Sequence, residues 1–184
     1  MDVLRKNSQS IENIRSYLGD ATNLDMAEDN AYDMTLALGP FYHLYDKNEV
    51  NKAIDEAIRV TKKNGIIMVA FLSVYAILYS EYLNEGLKAG LEENFTEDHK
   101  TKHFKEQLFT GYDVVEFENL FSEKSIEHIV TTSVDSVLEL VSRRDDFVMS
   151  DEDFNRFAKY HLATCETREN LGTSNHLLYI CRKK

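Results

Sequence analysis

Seven consecutive apolar residues, Ile66 to Leu72 (IIMVAFL), follow closely on a segment whose apolar positions recur every three or four residues. A strand that is apolar at every position has no side to give to solvent, the situation of a strand inside a parallel sheet. The preceding segment carries Val50, Ala53, Ile54, Ala57 and Ile58 on one side, the spacing of a helix with a single buried stripe. Asp46 and Glu49 stand in the order of a capping box at its start. Arg59, Lys62 and Lys63 complement the negative end of its dipole, and Gly65 offers a left-handed stop. A helix delivering its chain into a buried strand is the repeating unit of an α/β protein.

The rest of the chain extends that alternation. Residues 1–8 read as the tail of a helix, residues 14–18 (IRSYL) as a short strand and residues 32–38 (YDMTLAL) as a second strand. Gly39-Pro40 ends the latter sharply, because proline lacks an N–H and turns its neighbour away from helical angles. A helix is predicted over 74–92, a strand over 125–133, helices over 134–143 and 151–165, and a last strand over 176–183. Ser150 and Asp153 form a second capping box. Residues 94–110 are charged and weakly amphipathic, so 94–124 reads as a lid or insertion within a single domain covering 1–184. The pattern predicts a largely parallel sheet with helices on both faces.

Composition narrows the partners. Thirty-two acidic residues against 21 basic ones give a formal charge of −11, a field that repels phosphate backbones and anionic lipid surfaces. Neither nucleic acid nor membrane is an expected partner. Two cysteines, Cys165 and Cys181, are too few for a disulfide framework, and no secretion signal is recognisable, so the expected location is the cytoplasm.

In parallel sheets ligands bind beyond the carboxyl ends of the strands, which directs attention to Gly19-Asp20-Ala21 and to Gly39–Leu44 (GPFYHL). Asp20, Ala21 and Thr22 have the order needed to grip an adenine edge, with a carboxylate for the exocyclic amine and backbone N–H groups for a ring nitrogen. Asp20 could equally cap the next turn. Tyr42 and His43 stand where a nucleophile could be oriented or deprotonated, or they simply pack and hydrogen-bond locally. Asn175 and His176 open the last strand and could reach the same mouth. His161 with Cys165, and His99 with His103, have a metal-compatible spacing of four, but each lacks a third ligand, so no metal is expected.

Taken in order, GDATNL, then DNAYDMTLALGPFYHLYDKNEVNKAIDEAIRVTKKNGIIMVAF, and the closing YHLATCETRENLGTSNHLLYICRK resemble the second half of a class I S-adenosylmethionine-dependent methyltransferase of the small-molecule type. The resemblance implies S-adenosylmethionine as cofactor and a Rossmann-like sheet. It implies that Asp20, Ala21 and Thr22 meet the adenine, and that Leu38, Gly39 and Pro40 form a floor under the methionine portion. Tyr42 and His43 would be the catalytic pair, with Tyr160, His161, Asn175 and His176 facing a small-molecule acceptor.

The chain departs from the family in one respect. Its glycines, at 19, 39, 65, 86, 90, 111 and 172, form no GxGxG turn. The sequence therefore reads as an N-terminally incomplete member that lacks the first two strands. In the family's sheet those two lie between strands three and four, so IRSYL is expected to re-pair elsewhere, to join a partner chain or to be poorly ordered. An open sheet edge would also suit a homo-oligomer, and the alternative to an enzyme is a non-catalytic remnant that self-associates or serves as an interaction protein.

Overall fold

A computed structural model describes residues 3, 6–7, 11–83 and 85–184. The helix tail expected at 1–8 lies largely outside the described residues. Five strands form one sheet: β1 (Tyr32–Ala37), β2 (Thr61–Ser73), β3 (Gly111–Tyr112), β4 (Ile126–Ser133) and β5 (His176–Lys183). The spatial order is β1-β2-β5-β4, with the two residues of β3 paired to the end of β2. β1 and β3 run parallel to β2, whereas β5 is antiparallel to both β2 and β4. Strands β1 to β4 thus share one direction and β5 alone opposes it.

The helix before β2 forms as its spacing predicts. Helix α1 (Lys47–Val60) buries Val50, Ala53, Ile54 and Ala57, and the Asp46 carboxylate accepts from the N–H groups of Asn48 and Glu49. The strand starts earlier than the apolar run, at Thr61, whose hydroxyl donates to the Ala57 carbonyl at 2.6 Å. The left-handed residue is not Gly65 but Asn64, at φ 66°. Asparagine tolerates that region through its short polar side chain, and Gly65 is needed there for a different reason. A Cβ on Gly65 would stand 2.9 Å from the carbonyl oxygens of Asp33 and Lys62.

Beyond β2, the predicted helix 74–92 is broken. Helix α2 (Val74–Ile77) passes into one wide turn, Leu78–Tyr82, and the chain resumes as α3 (Leu87–Asn94) after a left-handed Gly86. Within the stretch read as a lid, the last part belongs to the core. Tyr112 of β3, Phe117 of α4 (Val114–Asn119) and Phe121 are all buried. Helices α5 (Ser136–Ser142), α6 (Asp151–Thr164) and α7 (Arg168–Leu171) complete the chain before β5. Ser150 caps α6 by accepting from the Asp153 N–H.

The buried cluster occupies one face of the sheet. Ile67, Val69 and Phe71 of β2 meet Leu177, Tyr179 and Cys181 of β5, under Phe41, Ile54, Phe117 and Leu171. The opposite face is covered unevenly: Tyr32, Met34 and Leu36 of β1 stay exposed, while Ile66, Met68, Leu178 and Ile180 are half-buried. The IRSYL segment is not a strand. Residues 14–18 run without a ladder partner and leave Ile14, Tyr17 and Leu18 exposed. Its strand character was read from composition, and a strand exists only where a neighbour completes its hydrogen bonds. Among the described residues no helix is long and apolar enough to cross a membrane.

Candidate functional site

The carboxyl ends of β1, β2 and β4 lie at one edge of the sheet, beside the start of β5. Two groups of side chains gather there, on either side of the turn Gly39–His43.

The first group lines a cavity of about 530 Å³ with Asp20, Ala21, Pro40, Met34 and Leu36 among its walls. Three residues expected at the cofactor, Asp20, Ala21 and Pro40, are thus brought together. Thr22 plays a supporting part: its N–H and hydroxyl donate to Asp20 Oδ1 at 2.8 and 2.9 Å. These bonds, the N–H first, hold the Asp20 carboxyl below the usual carboxylate range. Oδ1 thus caps the turn, as the turn reading of Asp20 expected. Gly39 has open space where a Cβ would stand, and Leu38 is exposed at the end of β1.

A clamp that the sequence reading missed fixes this segment. Arg59 donates through Nη1 to the Ala27 carbonyl at 2.9 Å and through Nη2 to the Leu24 carbonyl at 2.8 Å. Glu56, one helical turn away, ties the Arg59 guanidinium and accepts from the Leu24 N–H at 2.6 Å. The Arg59 hydrogen bonds hold the Glu56 carboxyl below its ordinary value. In sequence the pair looks like a helix C-terminal charge and its neighbour. Its second role depends on a loop that folds back across 35 residues.

The second group centres on His176. Its Nδ1 lies 2.6 Å from Asp135 Oδ2, and its ring centroid is 6.0 Å from that of Tyr42. Asp135 Oδ1 receives the Ser174 hydroxyl at 2.6 Å and the Asn175 N–H at 3.0 Å. Burial opposes the charge on Asp135, yet hydrogen bonds from His176 and Ser174 prevail and keep its carboxyl below the usual range. The same bond to Asp135 raises the His176 imidazole against the opposing effect of burial. Burial, with Asp135 nearby, pushes the Tyr42 phenol up.

The remaining expected residues divide. His43 is exposed and packs at 5.3 Å from the Phe109 ring. His161 approaches the same strand end, its Nε2 3.2 Å from the Val134 carbonyl oxygen. Tyr160 stays exposed on α6, with Phe157 at 6.2 Å as its ring neighbour. Asn175 is buried rather than open to the mouth: its carbonyl accepts from Ser73 N–H, and its side-chain oxygen has no partner among the described residues. Asp135 was not singled out from sequence, though it directly follows a strand and could have been found by the rule that flagged Asp20. A larger cavity, about 710 Å³, lies among His103, Tyr112 and Glu116, and none of the expected site residues lines it. No group of three or more metal-ligating side chains occurs among the described residues.

Residues 1–69 match the family model described as a methyltransferase domain. Over 77 residues the chain is 40% identical to the demethylmenaquinone methyltransferase of Paenarthrobacter aurescens (strain TC1), which is 39% of this chain and 28% of that protein. The chain thus spans under a third of that curated relative. Among solved structures, an S-adenosylmethionine-dependent methyltransferase from Thermotoga maritima, described as a possible histamine N-methyltransferase, superposes with a TM-score of 0.55 at 13% identity. That match covers 100% of this chain and 70% of the other. An S-adenosylmethionine-dependent methyltransferase from Methanosarcina mazei gives a TM-score of 0.51 at 13% identity, over 98% of this chain and 76% of the other. At such identities the solved structures speak for the fold, and the family match and the curated relative add a likeness confined to part of the chain. The chain thus resembles a methyltransferase domain over residues 1–69 and shares the fold of S-adenosylmethionine-dependent methyltransferases along its length.

Proposed function

We propose that the chain takes part in S-adenosylmethionine-dependent methyl transfer to a small-molecule acceptor in the cytoplasm. The observation that carries this reading is the cavity shared by Asp20, Ala21 and Pro40, from which the turn leads within two residues to Tyr42 beside His176. The residues fit the adenine portion of the cofactor. Asp20 would accept from the exocyclic amine, the Ala21 backbone would meet the ring, and Leu38, Gly39 and Pro40 would form the floor toward the methyl. When bound, the cofactor supplies a methyl group on a sulfonium, so the chain's own task is mainly to align the acceptor with it.

Residues 94–110 serve in this reading as a cover over the acceptor. Phe109 packs on His43, the Thr110 N–H donates to the Tyr42 carbonyl, and the Tyr45 hydroxyl donates to the Gln107 carbonyl at 2.7 Å. Tyr160 and His161 would close the acceptor side from α6.

Isothermal titration of the chain with S-adenosylmethionine tests the reading. Saturable binding is expected, and no heat at roughly millimolar cofactor would overturn it. Arg59→Ala, which unpins Leu24 and Ala27 of the cavity wall although Arg59 does not itself line the cavity, should weaken that binding roughly tenfold, the scale of one charge-assisted hydrogen bond.

A second reading, as a self-associating interaction protein, is favoured by one observation. β1 pairs with β2 on one side, and Tyr32, Met34, Leu36 and Leu38 stay exposed along it. Apolar side chains on an edge strand invite a further strand. Sedimentation equilibrium should then show a dimer or larger species that Leu36→Lys dissociates. A monomer at all concentrations would exclude this reading.

A further inference from the structure

Three separated segments converge on the imidazole of His176: the turn after β1, the end of β4 and the start of β5. Asp135 accepts the Nδ1 proton at 2.6 Å, and it is itself held by Ser174 Oγ and by the N–H groups of Asn175 and His176. Ser136, the next residue, sits in the left-handed region at φ 58° and donates its N–H to Ser174 Oγ at 3.2 Å. A serine is kept in that region only where its surroundings over-determine it. The carboxylate is therefore fixed before any ligand arrives.

Such a carboxylate selects the tautomer with its proton on Nδ1, leaves Nε2 as the basic nitrogen and stabilises the imidazolium once formed. The two neighbouring candidates lack this arrangement. The Tyr42 phenol is held in its protonated form by burial and by Asp135. His43 is exposed, with an aromatic ring and not a carboxylate as its close neighbour among the described residues.

We propose that His176, oriented by Asp135, is the general base of this site, and that the acceptor is an amine that arrives as an ammonium ion. The inference rests on the methyl-transfer reading above. An ammonium nitrogen has no lone pair, so it is inert until a base removes a proton; neutral thioethers and tertiary amines need no such group. Charge favours a cation here. Asp135 and Glu139 lie near His176, Arg143 is itself paired with Glu139 and Glu81, and the whole chain carries −11. The Tyr42 ring beside His176 offers a face to the ammonium.

The ammonium gives one proton to Nε2 of His176 while Nδ1–H stays on Asp135. The freed nitrogen pair forms the N–C bond to the methyl as the C–S bond breaks, its electron pair remaining on sulfur. The proton on His176 then passes to solvent.

The groups facing His176 set its titration: Asp135 and Glu139 raise it and Arg143 lowers it, with Tyr42 neutral. As a base it works when unprotonated, so reactivity should rise with pH through a midpoint above the ordinary histidine value of about 6.5.

The experiment uses the full chain with ¹⁵N-labelled histidines. A calorimetric titration with S-adenosylmethionine comes first, followed by NMR pH titrations of wild type and Asp135→Asn. Benzylamine, ethanolamine and phenethylamine are then added at cofactor saturation, with phenol as the comparison. The expected result is a His176 midpoint above the ordinary histidine value which falls in Asp135→Asn, and an Nε2 signal that moves with an amine and not with phenol. Cofactor binding with an unchanged midpoint in Asp135→Asn, or with no Nε2 response to any of the three amines, overturns this inference alone. Absence of cofactor binding brings down the methyl-transfer reading, and this inference with it.

Discussion

Phe117→Ala is expected to cost about 3–5 kcal/mol, a large share of the stability that keeps the domain folded. The range is that of large aromatic deletions in closed cores, against a total stability of about 5–15 kcal/mol for a domain. Phe117 sits at the centre of the buried face with 0% exposure. Its ring stacks on Phe71 of β2 at 3.9 Å and 9°. It also meets Phe41 edge-on at 5.8 Å and Tyr112 at 5.1 Å. These contacts join the turn after β1, the end of β2 and the short strand β3. Deleting the ring opens a cavity that these three elements would have to collapse into at once, and rigid strands cannot do so. Urea denaturation followed by circular dichroism measures the effect. A loss below about 1 kcal/mol would show that the site relaxes freely and that Phe117 does not hold these elements together.

Gly111→Val should be nearly as damaging, for the opposite reason. A Cβ at Gly111 would stand 2.7 Å from the Cα of Val74 and 2.9 Å from its N, both backbone atoms that cannot rotate aside. β3 would have to part from the β2–α2 junction. Overpacking of this kind costs about 1–3 kcal/mol, and here it also displaces Tyr112, buried at 3% exposure. Gly172→Ala is the matched control. Nothing lies within 4 Å of its Cβ position, and its φ of −67° suits alanine, so a small gain of about 0.4–1 kcal/mol is expected. Thermal unfolding of the two variants side by side separates close approach from glycine loss in general.

The parts of the fold that were legible in the sequence are those whose signal is local. Helix α1 announced itself through one apolar stripe and an aspartate cap, and β2 and β5 through apolar runs bounded by clear turns. IRSYL has the composition of a strand, but pairing is a property of two segments, and among the described residues it meets no ladder partner. The break in the 74–92 helix escaped notice because Tyr82 and Leu83 keep the helical spacing. The turn that ends it depends on Gly86 and on Gly90, where a Cβ would collide with the Tyr82 ring.

The candidate site was half legible for the same reason. The Gly39–His43 turn stands at the end of β1, and Asp20 follows a segment that reads as a strand in sequence although it forms none. Asp135 and His176 are separated by 41 residues and meet only because β5 returns antiparallel beside β4. Arg59 was visible as a helix-end charge, whereas its grip on Leu24 and Ala27 exists only in three dimensions. Asn175 was placed near the substrate mouth by its position; its side chain is buried, and its backbone carbonyl accepts from the Ser73 N–H.

The one-sided pairing of β1 should be readable in the exchange of its amide hydrogens with deuterium. In a parallel ladder alternate N–H groups point to opposite neighbours. Between Tyr32 and Ala37, every second amide faces β2, and the ones between face away from it. Exchange along this strand should therefore be periodic, slow and fast by turns, while β2, bordered on both sides by β1 and β5, protects continuously from Ile66 to Val69. Adding a strand to that border, from whatever source, would erase the alternation and leave β1 as slow as its neighbour.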